Sequence, residues 1–150
     1  MANWIVVGSP DNYEIARGRK FDMFGFKSTR RRESAEMQPG DRLIFYLTGV
    51  MKFGGIAEVT SEVFEDHKPV FKSEKKPGED YPFRVKTKGV RLLDEDQWLD
   101  VKKYATKLEM TKRRGEHWRL AFQGNLHKIS DKDYALLEKD VEAAAKAPAR

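Results

Sequence analysis

Apolar residues in this chain fall into short runs broken by glycine, proline and charged patches, the pattern of strands joined by irregular segments. Trp4-Ile5-Val6-Val7 predicts a first strand, ended by Gly8-Ser9-Pro10, and Asp11 or Asn12 is placed to cap a short helix from Tyr13 to about Arg17. Pro39-Gly40-Asp41 is turn chemistry that leads into Leu43-Ile44-Phe45-Tyr46-Leu47, an aromatic and β-preferring run that predicts a buried strand. After Thr48-Gly49 the pattern resumes from Phe53 to Thr60, and its glycine pair, Gly54-Gly55, predicts a bulge or a close backbone approach. These two strands are expected to be neighbours in the sheet around which the rest is organised.

Further along, Glu65 to Asp80 is polar and punctuated by Pro69, Pro77 and Gly78, so it reads as a long loop. Tyr81 to Lys88 alternates apolar with basic residues and predicts a half-exposed strand whose outer face carries Arg84, Lys86 and Lys88. Trp98, Val101, Ala105 and Leu108 recur at helical spacing, with Asp94, Glu95 and Asp96 ahead of them and lysines behind, which predicts a covering helix. His117 to Phe122 is a further strand candidate. Ser28 or Thr29 is placed to cap a short helix through Met37, and Ser130 with Asp133 resembles the capping box of a last helix to about Ala145, with Tyr134, Leu137 and Val141 on one face. Residues 1–145 are expected to form one α+β domain, with 146–150 a flexible tail.

Composition narrows the function. A chain of 150 residues suits one domain and can bury roughly 70% of its unfolded surface. The absence of cysteine excludes disulfides and thiolate metal sites, and no apolar run approaches the ~20 residues of a membrane helix, so a cytoplasmic protein without membrane contact is expected. His67, His117 and His127 lack metal-ligand spacing, and no phosphate loop, nucleophile elbow or dinucleotide fingerprint is present. No metal, cofactor or enzymatic activity is therefore expected. From Arg17 to Arg32 seven basic residues face one acid, Asp22, and interleave with Phe21, Phe24 and Phe26, a composition that predicts buried rings alternating with exposed charges. Lys112-Arg113-Arg114-Gly115 is a second basic turn. With a net charge of +5, this distribution is compatible with a polyanionic partner.

Taken in order, the segments NWIVVGSPDNYEIA, FGFKS, PGDRLIFYLTG, GGIAEVTSE, YPFRVK and WRLAFQGNLHKISDKDYALLE resemble the EVE domain of UPF0310-type proteins. That family belongs to the PUA-like group, as do the YTH and ASCH domains. The resemblance implies a mixed, strongly curved β-barrel with helices packed around it. It also implies a reader of DNA or RNA whose modified base, a cytosine or an adenine, is flipped into an aromatic-lined pocket. Ser9 and Asn12 match positions where the family places polar groups that read base edges. Phe24 and Phe71, with Phe64 as the alternative to Phe71, match positions where YTH domains sandwich the base between tryptophans. Phenylalanine presents a smaller face, so a modified cytosine is as plausible a ligand as methyl-adenine. Phe26, Tyr46 and Trp118 complete the expected pocket, and Lys27, Arg30, Arg31, Arg32, Lys112, Arg113 and Arg114 are expected to contact phosphates. The residue types alone also fit a plainer role: rings as core, Ser9 and Asn12 as turn and cap, cations as solvated surface. A module that binds structured RNA or an acidic protein is the alternative function.

Overall fold

The structure is a computed structural model that describes residues 1–73 and 76–146, so the expected tail lies, beyond Lys146, outside the described residues. Eight strands build one curved sheet: β1 (Asn3–Gly8), β2 (Met23–Phe26), β3 (Arg42–Leu47), β4 (Lys52–Val59), β5 (Phe64–Glu65), β6 (Phe83–Leu92), β7 (Leu99–Asp100) and β8 (Leu126–Ile129). Their order is β2-β6-β4-β3-β1-β8, with β5 on β6 and β7 on β4. β1 and β3 run parallel and the other pairs antiparallel. Among the described residues, four α-helices accompany the sheet: α1 (Pro10–Gly18), α2 (Arg31–Ser34), α3 (Glu109–Lys112) and α4 (Asp131–Lys146). The result is the expected α+β architecture. Among the described residues, no helix is long and apolar enough to cross a membrane.

β3 is buried on both faces because its two sets of side chains serve different layers. Leu43, Phe45 and Leu47 join Trp4, Val6 and Tyr13 in the concave layer. Ile44 and Tyr46 join Phe53, Phe122 and Leu137 in the layer covered by α4 and the 3-10 turns. The glycine pair acts as its chemistry predicts. Pairing shifts from Phe45 opposite Gly55 to Tyr46 opposite Phe53, leaving Gly54 as the bulged residue, whose carbonyl accepts a 2.7 Å hydrogen bond from the Tyr13 hydroxyl. A Cβ on Gly55 would stand 2.6 Å from the Arg91 carbonyl oxygen, so only glycine fits there.

The edge strands β2 and β8 are joined through Asn125, a buried residue between them. Its amide nitrogen donates to Val7 O at 2.8 Å, while its side-chain oxygen accepts from Lys27 N at 3.0 Å. One amide therefore ties the ends of β1 and β2 to the start of β8.

Several local expectations differ from the structure. The helix expected across Trp98 to Leu108 is replaced by a 3-10 turn (Glu95–Gln97), β7 and a second 3-10 turn (Val101–Tyr104), because Leu99 and Asp100 pair with Phe53 and Lys52 of β4. Of its apolar positions, Val101 and Leu108 are still buried, while Trp98 and Ala105 are half-buried. The strand expected at His117 to Phe122 is a 3-10 segment (Gly115–Phe122) kinked at His117. The free edge of β1 is taken instead by β8, which has no counterpart among the expected strands. Arg84, expected on the outer face of its strand, is 1% exposed. α1 begins at Pro10 with Ser9 as its cap, rather than at Asp11 or Asn12, because proline's missing N–H costs nothing in the first turn. After β2, Ser28–Arg30 forms a 3-10 turn without a side-chain cap and α2 ends at Ser34, short of Met37. At α4, Ser130 Oγ accepts from Asp133 N at 3.1 Å as expected, but the Asp133 carboxylate turns away to accept from Glu109 N and Met110 N at the start of α3.

Replacing Asn125 with Ala strands a buried carbonyl on β1 and an N–H after β2. The unfolding free energy measured in urea is expected to fall by about 2–4 kcal/mol with the m-value unchanged.

Candidate nucleic-acid interface

Ser9, Asn12, Phe24 and Phe71 gather at the end of the sheet where β1 stops at Gly8. Ser9 caps α1 there, its Oγ accepting from Asn12 N at 3.1 Å. Phe24 on β2 reaches the same place: a Cβ on Gly8 would lie 3.9 Å from the tip of its ring. Around Phe24 stand Phe45 and Phe71, each with ring centroids 5.0 Å away, and Phe26 at 6.2 Å. Tyr81 extends the row, 6.1 Å from Phe71.

Phe24 and Phe71 are thus brought together, but in contact. They are 4% and 3% exposed, with their planes inclined at 40°. A base between two rings requires about 7 Å, two van der Waals separations, so the pair is closed to a guest as it stands. The two rings are held differently. Phe24 is fixed in β2 by pairing with β6. Phe71 sits on the loop that follows β5, and that loop is pinned by polar contacts.

Asn12 makes two of them. Its side-chain nitrogen donates to Lys72 O at 2.8 Å and its side-chain oxygen accepts from Lys72 N at 2.9 Å. Ser28 donates to Glu79 from both its backbone nitrogen and its hydroxyl. The buried Arg84 donates to the carbonyls of Tyr81 at 3.0 Å, Asp80 at 3.1 Å and Lys68, and its guanidinium lies 3.6 Å from Asp66. His67 sits between Glu65 at 2.7 Å and Asp80 at 2.6 Å. Both of its ring nitrogens are spent on carboxylates, and no group of three ligating side chains among the described residues is set to hold a metal ion. The Tyr81 backbone passes close to β2, where a Cβ on Gly25 would be 2.7 Å from its carbonyl oxygen. Burial raises the Tyr81 hydroxyl's pKa, and hydrogen bonding with Ser73 and Asn12 opposes that shift.

The remaining expected pocket residues lie elsewhere. Phe26 is fully buried behind Phe24. Tyr46 faces the other core layer, stacked on Phe122 at 4.4 Å and 8°. Alternation along β3 makes Phe45, not Tyr46, the neighbour of Phe24. Trp118 stands half-buried on the 3-10 segment, with the Arg119 guanidinium 4.7 Å above its ring. Phe64 is half-buried in β5, and Phe71 is the ring that meets Phe24. A surface cleft of about 560 Å³ lined by Trp98, Tyr104, Lys107 and Asp140 borders the second layer and includes none of these residues.

The two basic segments converge at this end. Lys27 is bonded through its backbone to Asn125, and the Arg30 guanidinium lies directly on Gly124 while keeping Glu33 at 3.7 Å. Burial lowers the His127 pKa, a backbone hydrogen bond at Gln123 opposes that, and the positive charges of Arg30 and Arg114, one from each segment, lower it further. Arg31 covers Phe83 at 5.6 Å, while Arg32, Lys112, Arg113 and Arg114 are exposed. Sequence reasoning missed Asn125, although Gly124-Asn125 is a turn signal. It missed Arg84 because nothing in a period-two pattern foretells a loop folding over an outer position.

A family model described as "EVE domain" matches residues 2–139. A UPF0310 protein from Pyrococcus horikoshii is 27% identical over 149 residues, spanning 93% of this chain and 98% of its own length. Among solved structures, the human THYN1 protein in complex with 5-methylcytosine-containing DNA superposes with a TM-score of 0.62 at 12% identity, covering 99% of this chain and all of its own, 100%. The Mmi1 YTH domain superposes with a TM-score of 0.65 at 12% identity, covering 97% and 91%.

Two outcomes are expected of the loop. Asn12→Ala removes both bonds to Lys72, so the Lys72 amide is expected to exchange hydrogen about tenfold faster or more, while amides in β3 keep their protection. The His67 pKa is raised above its usual 6.5, first by its hydrogen bond to Glu65 and then by that to Asp80. Its contribution to loop closure is complete below pH 6.5 and is lost as pH rises through the raised value. Lys72 protection, corrected for intrinsic exchange, is expected to decline over that window in the wild type and to be flat in His67→Ala.

Proposed function

The chain belongs to the EVE domain family, and from that premise we propose that it reads nucleic acid, taking one modified base into the hollow at the Gly8 end of its sheet without chemistry on that base. The observation that carries this reading is the unequal mounting of Phe24 and Phe71: one ring on a strand, the other on a loop that polar bonds close. Withdrawal of the loop uncovers a face of Phe24 and frees the amide of Asn12, a donor beside an acceptor, for a base edge that offers the complementary pair. The DNA-bound human THYN1 structure supports the choice of ligand, since it shares this fold and carries 5-methylcytosine.

Magnitudes assign the roles. Extracting a base from a duplex costs a few kcal/mol, stacking returns ~1–3, and a buried methyl only ~0.8. Affinity must therefore come largely from phosphate contacts, for which Lys27, Arg30, Arg31, Arg32, Lys112, Arg113 and Arg114 are placed, and selectivity from Phe24, Phe71, Asn12 and the shape of the hollow. DNA and RNA both meet these requirements. The closed contact between the two rings favours a second reading, in which the hollow stays filled and the basic face alone binds structured RNA or an acidic protein.

Titration with short strands that differ only in one central base modification separates the two. We expect one modification to bind several-fold tighter than its parent base, and Phe24→Ala, checked for folding by thermal melt, to erase that preference. Plots of log affinity against log salt are expected to be linear, losing about 0.7–0.9 of slope for each of Arg31→Ala and Arg32→Ala. Equal affinity for every modification, untouched by Phe24→Ala, leaves the second reading in place.

A further inference from the structure

A pocket for one base leaves its neighbours in the strand outside, and the surface at the same end of the sheet has a feature suited to one of them. Trp4 donates its indole N–H to Asp41 and Trp98 to Leu93 O. Trp118 is the one tryptophan whose indole nitrogen has no protein acceptor among the described residues, and it stands on a segment where Lys112, Arg113, Arg114, Arg119 and Leu120 are all exposed. None of those four cations has a carboxylate at ion-pair distance among the described residues, and the segment's acid, Glu116, faces His117 at 3.5 Å. The Arg119 guanidinium over the ring makes a flat, positively charged π surface.

Its location is fixed from below. Phe122, at the end of the same 3-10 segment, stacks on Tyr46, and Tyr46 pairs with Val7, the residue before Gly8. Tyr46 titrates high because it is buried, with Arg119 near enough to oppose that shift. The Trp118-Arg119 surface is therefore carried at the end of the sheet that holds Phe24, on the other side of β3.

We propose that Trp118 and Arg119 form a second platform, outside the pocket, on which a base flanking the extracted one stacks, so that the preferred ligand is a strand with an unpaired neighbour rather than an isolated base. This rests on the reading of the hollow given above. Stacking on aromatic and guanidinium faces tolerates any base, so the platform adds affinity without sequence preference.

The test uses the whole chain and nine-nucleotide single strands of DNA with a central 5-methylcytosine or cytosine, each with intact or abasic neighbours on both sides. Tryptophan fluorescence is expected to be quenched by intact strands of either kind, and this quenching to be lost in Trp118→Phe. Trp118→Ala is expected to weaken both intact strands equally, by about tenfold, Trp118→Phe to retain most of the affinity, and abasic neighbours to remove the difference between wild type and Trp118→Ala. Arg119→Glu, a change confined to an exposed side chain, is expected to weaken both strands without altering the thermal melt. The platform is refuted if Trp118→Ala binds intact strands like the wild type, or if it weakens only the methylated strand, which would put Trp118 inside the pocket. If strands bind and Phe24→Ala erases the methyl preference while Trp118 variants are neutral, the reader stands and the platform falls. If no strand binds the wild type, both fall.

Discussion

A buried guanidinium organises the working end of this protein. Arg84 is removed from water, and an arginine in that position costs several kcal/mol unless its donors are satisfied. Its partners are carbonyls of Lys68, Asp80 and Tyr81, which lie on both limbs of one loop. Satisfying one side chain thus folds the loop over β6 and carries Phe71 inward. The contact between Phe71 and Phe24 follows from that demand as much as from the attraction between rings. Asn12 and Ser28 then fasten the loop from α1 and from the turn after β2.

In the proposed reader, the same loop would give the hollow its character. A cavity lined only by strand residues would be permanently open or permanently filled, because strands move as parts of the sheet. Here the lid is held by discrete hydrogen bonds, each worth about 0.5–1.5 kcal/mol net, against a floor held by sheet pairing. A ligand that replaces those bonds like for like opens the lid at small cost. Asn12 is suited to that exchange, since its bonds to Lys72 have the donor-acceptor pattern of a base edge.

How much of this the chain announces depends on where the determining contacts lie. β1, β3 and β4 are legible because their apolar runs, turn residues and glycine pair act within a few residues of themselves. The segment from Trp98 to Leu108 misleads because helical spacing is also met by 3-10 turns, and the pairing of Leu99 with Phe53 that forbids a helix is remote in sequence. β8 escapes notice because Leu126 and Ile129 are only two apolar residues, and their partners in β1 are more than a hundred positions away. At the candidate site, Phe24 and Phe71 are assigned through family resemblance, not pattern. The misplacement of Tyr46 was avoidable, since alternation with Phe45 sets it on the opposite face. Trp118 was placed in the pocket on the strength of a strand that does not form.

The pairing of β1 with β8 also bears on how the protein is made. During synthesis β1 is joined on one side by β3 early, but its other edge waits for Leu126 to Ile129, and the amide of Asn125 that links β2 arrives with them. At about 5–20 residues per second, the nascent chain spends several seconds with that edge bare and its basic segments unassembled. Only a chain synthesised past Ile129 can close this seam, so products that stop short of Asn125 lack the surface on which the proposed binding would depend.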